Sequence, residues 1–157
     1  MNNNSKFKQT IMEVSEEIGY VGQKKSIRLM SSYEFKAVRL LKQLFLLKRI
    51  KSWNSEEVII PYLSMKDNKT HRYFMDFCIT TKEDKIILIE VKPDSQTRPP
   101  KLKRNCTEKQ KRSYEKAMQD YITNYDKWSA TIKYVEEMNQ REHKFAFQIW
   151  TEKTLNL

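Results

Sequence analysis

The run Lys85-Ile86-Ile87-Leu88-Ile89-Glu90-Val91-Lys92-Pro93 carries four large apolar residues straight into a carboxylate and an ammonium. Strand side chains alternate between faces, so Ile86, Leu88, Glu90 and Lys92 leave one side of a sheet and Ile87, Ile89 and Val91 the other. A buried strand ending in two charges on one face needs a partner, a cation or a water-filled cleft, because burying either charge alone is costly. An acid two residues before a lysine also occurs at Glu34/Lys36, Asp67/Lys69, Glu83/Lys85 and Glu142/Lys144, but only Glu90 and Lys92 close an apolar run. Asp76 stands among Phe74, Met75 and Phe77, where strand propensity disfavours it and its presence needs a reason. If the strands carrying Asp76 and Glu90 are neighbours, their carboxylates meet at one sheet end and repel unless a divalent cation lies between them. Mg²⁺ suits such an oxygen-only site, with water and substrate phosphate as its remaining ligands. Lys92 beside it could orient or deprotonate a water for attack on phosphorus.

These side chains need a helix and several strands to hold them. Ser31-Ser32-Tyr33-Glu34 fits the capping box, a serine cap with a glutamate three residues later. Beyond it Tyr33, Ala37, Leu40, Leu41, Leu44 and Leu47 recur at helical spacing. Glu34 shares a helix side with Val38, Leu41 and Phe45, so it looks inward, either as a cap or toward a site. Trp53-Asn54-Ser55 breaks the helical pattern, and Glu57 to Leu63 reads as a strand with an edge proline, Pro61. Asp67-Asn68-Lys69 is a turn, and His71 to Thr80 is the returning strand. With the strand ending at Lys92, this predicts an antiparallel meander of three strands. Asp94 to Thr107, with Pro99-Pro100, reads as a loop. Ser113 to Tyr125 and Lys127 to Met138 read as two helical segments, and Lys144 to Thr151 alternates as a last strand. Residues 1–24 read as an extension with a short helical patch at Ile11 to Ile18, and residues 25–157 as a single domain.

Composition narrows the partners. With 30 basic and 20 acidic residues the chain carries a net charge of +10 and a pI near 9.5, which points to a polyanion. Residues 98 to 116 hold Arg98, Lys101, Lys103, Arg104, Lys109, Lys111, Arg112 and Lys116 against only Glu108 and Glu115. That stretch follows directly on the Glu90-Lys92 strand end, where it suits phosphate contacts along a nucleic acid. No apolar run approaches membrane-spanning length. Cys78 and Cys106 are far apart, with no paired-cysteine or histidine spacing for zinc, so neither a disulfide nor a zinc site is expected. His71 and His143 are isolated.

Asp76, Glu90-Val91-Lys92 and the helical Glu34 together resemble the signature of the PD-(D/E)XK nucleases, with Met75 where that pattern usually has proline. The predicted element order resembles their restriction-endonuclease-like αβββαβ core, an α/β (α+β) fold with a central mixed sheet flanked by helices. The runs Ile60-Pro61-Tyr62, Arg72-Tyr73-Phe74-Met75-Asp76-Phe77, Ile89-Glu90-Val91-Lys92-Pro93, Pro99-Pro100 and Asp126-Lys127-Trp128 are similar to the head completion nucleases of T-even-like tailed phages, from about Lys24 to Leu155. Nuclease domains of transposon end-cleaving proteins are more distant relatives. The resemblance implies a Mg²⁺-dependent DNA nuclease, with Mn²⁺ able to substitute, cutting duplex DNA with little sequence choice. It implies action late in virion assembly before heads join tails, in the host cytoplasm and in the company of head or portal-vertex proteins, with the virion as a second location. By the family's roles Asp76, Glu90 and the Val91 carbonyl would hold the metal, Lys92 would be the catalytic lysine, and Glu34 a further ligand or water-positioning acid. Two rival readings remain. One is an idle DNA-binding connector protein on the same fold, with the three charged residues as a satisfied ion network. The other is a basic RNA-binding module, which needs aromatics exposed at stacking spacing on a sheet face.

Overall fold

The computed structural model describes residues 7–155. A first hairpin pairs β1 (Thr10–Glu13) with β2 (Ser26–Leu29), and α1 (Ser32–Leu46) follows. Ser31 caps α1 by accepting the Glu34 N–H at 3.1 Å, as its capping box predicts. The central sheet is built from β3 (Ile50–Asn54), β6 (Phe77–Thr81), β7 (Ile86–Val91) and β8 (Phe145–Trp150), side by side in that order. The first three strands run antiparallel, while β7 and β8 are parallel. A parallel neighbour requires a long crossover, and α2 (Glu108–Gln140) supplies it. A second hairpin, β4 (Ile59–Leu63) with β5 (Thr70–Phe74), is inserted between β3 and β6 as its own two-stranded sheet. Without that insertion the order α1-β3-β6-β7-α2-β8 is the αβββαβ core, a mixed sheet between helices. A short helix, α3 (Glu152–Leu155), ends the described chain.

The alternation read in Ile86 to Lys92 is what divides the core. Ile87, Ile89 and Val91 enter a cluster with Ala37, Val38 and Leu41 of α1 and with Trp53, Phe77 and Ile79. Ile86 and Leu88 enter another, with Ile60, Tyr62, Tyr73 and Met75 on one side and Ala130, Tyr134 and Val135 of α2 on the other. Glu90 and Lys92 therefore lie on the face covered by the inserted hairpin and α2.

Several sequence expectations give way here. The run read as one strand from His71 to Thr80 is two, and the chain changes sheets at Met75-Asp76. The Met75 N–H bonds Val58 at 2.9 Å and its carbonyl accepts Glu56 at 3.0 Å, so pairing switches while the apolar alternation runs on unbroken. The first strand of the central sheet is the Trp53 segment, not Glu57 to Leu63. Only its Ile50 and Trp53 are buried, too few to reveal a period of two. The two helical segments are one helix of 33 residues. Asp126 falls between the two segments as read, and its carboxylate accepts the Met65 N–H at 2.8 Å. Ile11 to Ile18 holds a strand and a single 3-10 turn. Val14, Tyr20, Ile27 and Leu29 enter the same cluster as α1, and the Trp53 indole donates to the Ile18 carbonyl at 2.8 Å. Gly19, at φ +83°, makes the bend between them, where a Cβ would meet the Phe45 ring at 2.4 Å.

Candidate active site

Asp76 occupies the joint between the two sheets, one residue before β6. Because Phe77 pairs with Ile89, the register sets Asp76 beside Glu90, and its Oδ2 accepts the Val91 N–H at 2.8 Å. Burial raises the Asp76 carboxyl well above the ordinary aspartate range, and the adjacent Glu90 charge adds to the rise.

Glu90 is 3% exposed. Its Oε1 meets the Lys92 ammonium at 2.9 Å, and its Oε2 accepts the Tyr73 hydroxyl. Burial lowers the Lys92 pKa, but the Glu90 carboxylate more than offsets it, with smaller help from Asp76 and Glu34, and the net shift is upward. Lys92 is therefore an ammonium at neutral pH, a donor rather than a base. Burial first, then the Glu90 charge, holds the Tyr73 hydroxyl above its ordinary value, so it too stays a donor.

Glu34 sits apart from the other two acids. Its carboxylate accepts the Met30 N–H at 2.8 Å and the Ser31 hydroxyl at 3.2 Å, completing the helix cap, and it reaches Lys92 only as a more distant charge. Among the described residues no group of three or more His, Cys, Asp or Glu side chains is gathered to hold a metal ion. What is gathered is a pair of carboxylates with one ammonium between them and solvent.

Two side chains at this site had no signal of their own in the sequence pattern. The Tyr73 ring lies in the core, and the sheet switch at Met75-Asp76 brings its hydroxyl onto Glu90. Lys127 lay in the Asp126-Lys127-Trp128 run without a role of its own. Its ammonium rests 5.2 Å from the centre of the Tyr73 ring and 5.9 Å from that of Tyr62, a half-buried cation over aromatic faces, one of which bonds Glu90. A lysine in the half of α2 that packs on the sheet was the signal available. Tyr73→Phe is expected to lower stability by about 1–3 kcal/mol, because a buried Glu90 oxygen loses its donor. Thermal denaturation of the metal-free protein checks this.

All eight basic residues of the stretch from 98 to 116 are exposed. Arg98 is tied to Asp94 and Lys111 to Glu108 at 3.0 Å. Lys101, Lys103, Arg104, Lys109 and Arg112 make no ion pair among the described residues. Lys109 and Arg112 line an open groove with Ser113 and Lys116, one stripe of α2 by helical spacing. Both cysteines are free, and no helix among the described residues is long and apolar enough to cross a membrane.

The sequence profile of the family described as TnsA-like endonuclease N terminal matches residues 47–152. That span contains Asp76, Glu90, Lys92, Tyr73 and Lys127, and excludes Glu34. The chain is also similar to the head completion nuclease of Enterobacteria phage T4, 33% identical over 79 residues, which is 50% of this chain and 53% of that protein. The similarity thus spans about half the length of the curated relative. No solved structure matches the chain.

Proposed function

The chain belongs to the TnsA-like endonuclease N-terminal family, and on that premise we propose that it is a Mg²⁺-dependent DNA nuclease centred on Asp76, Glu90 and Lys92. The observation that carries this reading is the acid pair, Glu90 buried and Asp76 half-buried beside it. Two adjacent carboxylates share one ammonium, and the Asp76 pKa is raised by burial and by Glu90. An all-oxygen donor set with uncompensated negative charge fits a hard divalent cation. Asp76 and Glu90 would hold it, with the Val91 carbonyl as a further ligand. When bound, such an ion supplies charge stabilisation for the reacting phosphate and acidifies a water.

The protein's own groups do the positioning. The Val91 N–H and the Tyr73 hydroxyl fix one oxygen of each carboxylate. The Lys92 ammonium offers its N–H donors to the attacking water and to a phosphate oxygen. In hydrolysis one P–O ester bond breaks as the water oxygen bonds to phosphorus, and the leaving oxygen takes up a proton. Glu34 supports this centre as a helix cap whose charge helps keep Lys92 protonated.

Arg98, Lys101, Lys103, Arg104, Lys109, Lys111 and Arg112 hold the duplex through its phosphates, which gives affinity without sequence choice. Replacing Lys109 and Arg112 together by alanine is expected to flatten the plot of log affinity against log salt by about 0.9 for each phosphate the variant no longer neutralises. Fluorescence anisotropy with a duplex in EDTA measures that slope. Similarity to the phage head completion nuclease supports a place late in virion assembly, with cutting at the head before tail joining and head or portal-vertex proteins as partners.

The test is incubation of supercoiled and linear duplex with the protein in Mg²⁺, Mn²⁺ or EDTA. Cutting in either ion and none in the chelator is expected. Tight binding with intact DNA in both ions would return the carboxylates to a structural role in a connector protein.

A further inference from the structure

A two-stranded sheet packed on one side normally turns polar residues to water on the other. The β4–β5 hairpin does not. Ile60, Tyr62 and Tyr73 face inward and are buried. The outward cross-strand pairs are Ile59 with Phe74, Pro61 with Arg72 and Leu63 with Thr70. Leu63 is 60% exposed, and Met65, two residues on, is 75% exposed.

The tip that carries Met65 is held tightly. Ser64 and Lys69 close it with a 2.9 Å backbone bond, Asn68 bonds back to Ser64 at 2.9 Å, and Asn68 takes the left-handed conformation at φ 55°. The Met65 N–H is pinned by the carboxylate of Asp126, which is buried in α2. A buried acid is a costly way to fix a loop, and here it fixes the backbone of a residue whose side chain projects into water. Lys66, Lys69 and Arg72 neighbour these residues in the hairpin, all exposed, and the one acid among them, Asp67, is bonded to His71 at 2.8 Å. Apolar side chains flanked by cations match a duplex, where phosphates flank the groove and base steps accept an apolar wedge.

We propose that Leu63 and Met65 are a wedge that enters the minor groove of the substrate duplex and unstacks a base step, with Lys66, Lys69 and Arg72 on the flanking phosphates. The proposal rests on the nuclease reading of Asp76, Glu90 and Lys92 and names how that site would engage its DNA. The root of the hairpin is fixed to the site, since Tyr73 bonds Glu90 and Asp76 follows two residues after Phe74. Leu63 pairs with Thr70, three residues along β5 from Tyr73, which puts the wedge roughly 10 Å along the hairpin from the acid pair at about 3.4 Å per residue.

Two readouts test it with the full chain and a Leu63→Ser/Met65→Ser variant, whose substitutions are exposed and should leave Tm unchanged. In EDTA, a duplex with an interior 2-aminopurine should brighten on binding the wild type, and brighten by less than half as much with the variant at equal occupancy. In Mg²⁺, the variant should cut a perfect duplex at least about tenfold more slowly, since the wedge no longer offsets the cost of unstacking a step, and should regain most of the rate on a duplex with a mismatch that is already unstacked. No brightening with the wild type, equal brightening with both proteins, or equal cutting of perfect and mismatched duplexes by the variant would overturn the wedge. The EDTA arm does not depend on cutting. Wild-type brightening without any cleavage in Mg²⁺ would overturn the nuclease reading, and with it this proposal's placement relative to a cut.

Discussion

Asp76→Asn is expected to lower the rate of DNA cleavage by about three decades and, in the metal-free protein at neutral pH, to raise Tm. The first effect follows from loss of a ligand charge, because a bound cation provides several kcal/mol of transition-state stabilisation and each decade of rate is about 1.4 kcal/mol. The second follows from the raised carboxyl of Asp76, which burial and the Glu90 charge disfavour as an anion. For an acid whose folded pKa lies above its unfolded value of 3.8, the stabilising contribution is present below the unfolded pKa and lost as pH rises through the folded one. At neutral pH in the absence of metal Asp76 is therefore a liability, and asparagine removes it while still accepting the Val91 N–H. A gain of ~1 kcal/mol would appear as about 2–4 °C in a domain of this size. The advantage should shrink as pH falls and reverse in saturating Mg²⁺, where only the wild type gains from binding. Thermal scans across pH, with and without Mg²⁺, separate this behaviour from simple damage to the fold.

Lys92→Met is expected to slow cleavage by ~10²–10³-fold, the usual cost of removing one preorganised donor from a transition state. Unlike Asp76→Asn it should also destabilise the metal-free protein, by about 3–5 kcal/mol, because it strips the cation from a buried carboxylate. Glu90 is 3% exposed and keeps only the Tyr73 hydroxyl as a donor. A divalent ion bound to the pair would neutralise Glu90 in place of Lys92, so added Mg²⁺ should raise the Tm of Lys92→Met more than that of the wild type. Opposite stability changes at Asp76 and Lys92, with the same loss of cleavage, are what an overcharged acid pair requires. A satisfied structural network would lose stability at both positions.

The charged strand end was legible because burial leaves few explanations for Glu90 and Lys92 after four apolar residues. Their face held, as did the Ser31 cap and the final strand at Lys144 to Thr151. The switch of sheets at Met75-Asp76 was not legible, since side chains keep alternating while their backbone partners change. That one hidden event concealed the inserted hairpin, the true first strand at Trp53, and the Tyr73 hydroxyl on Glu90. Lys127 stayed hidden for a different reason. A helix surface lysine looks alike in sequence whether it meets water or the faces of Tyr62 and Tyr73. The first hairpin escaped because its strands are only four residues long, so the alternation of Ile27 and Leu29 in β2 is too short to stand out from polar surroundings. Glu34 is half-buried, and its carboxylate completes the helix cap.

The central claim is that the ion required for cutting is held at Asp76 and Glu90, and it can be tested without reference to DNA. Fe²⁺ substituted for Mg²⁺, with ascorbate and peroxide, generates radicals that break the polypeptide next to the bound ion, and mass spectrometry of the fragments locates the breaks. Breaks beside Asp76 and around Glu90 to Lys92, suppressed by excess Mg²⁺ and absent from Asp76→Asn, are the predicted result. Breaks elsewhere, or an unchanged pattern in Asp76→Asn, would contradict the account.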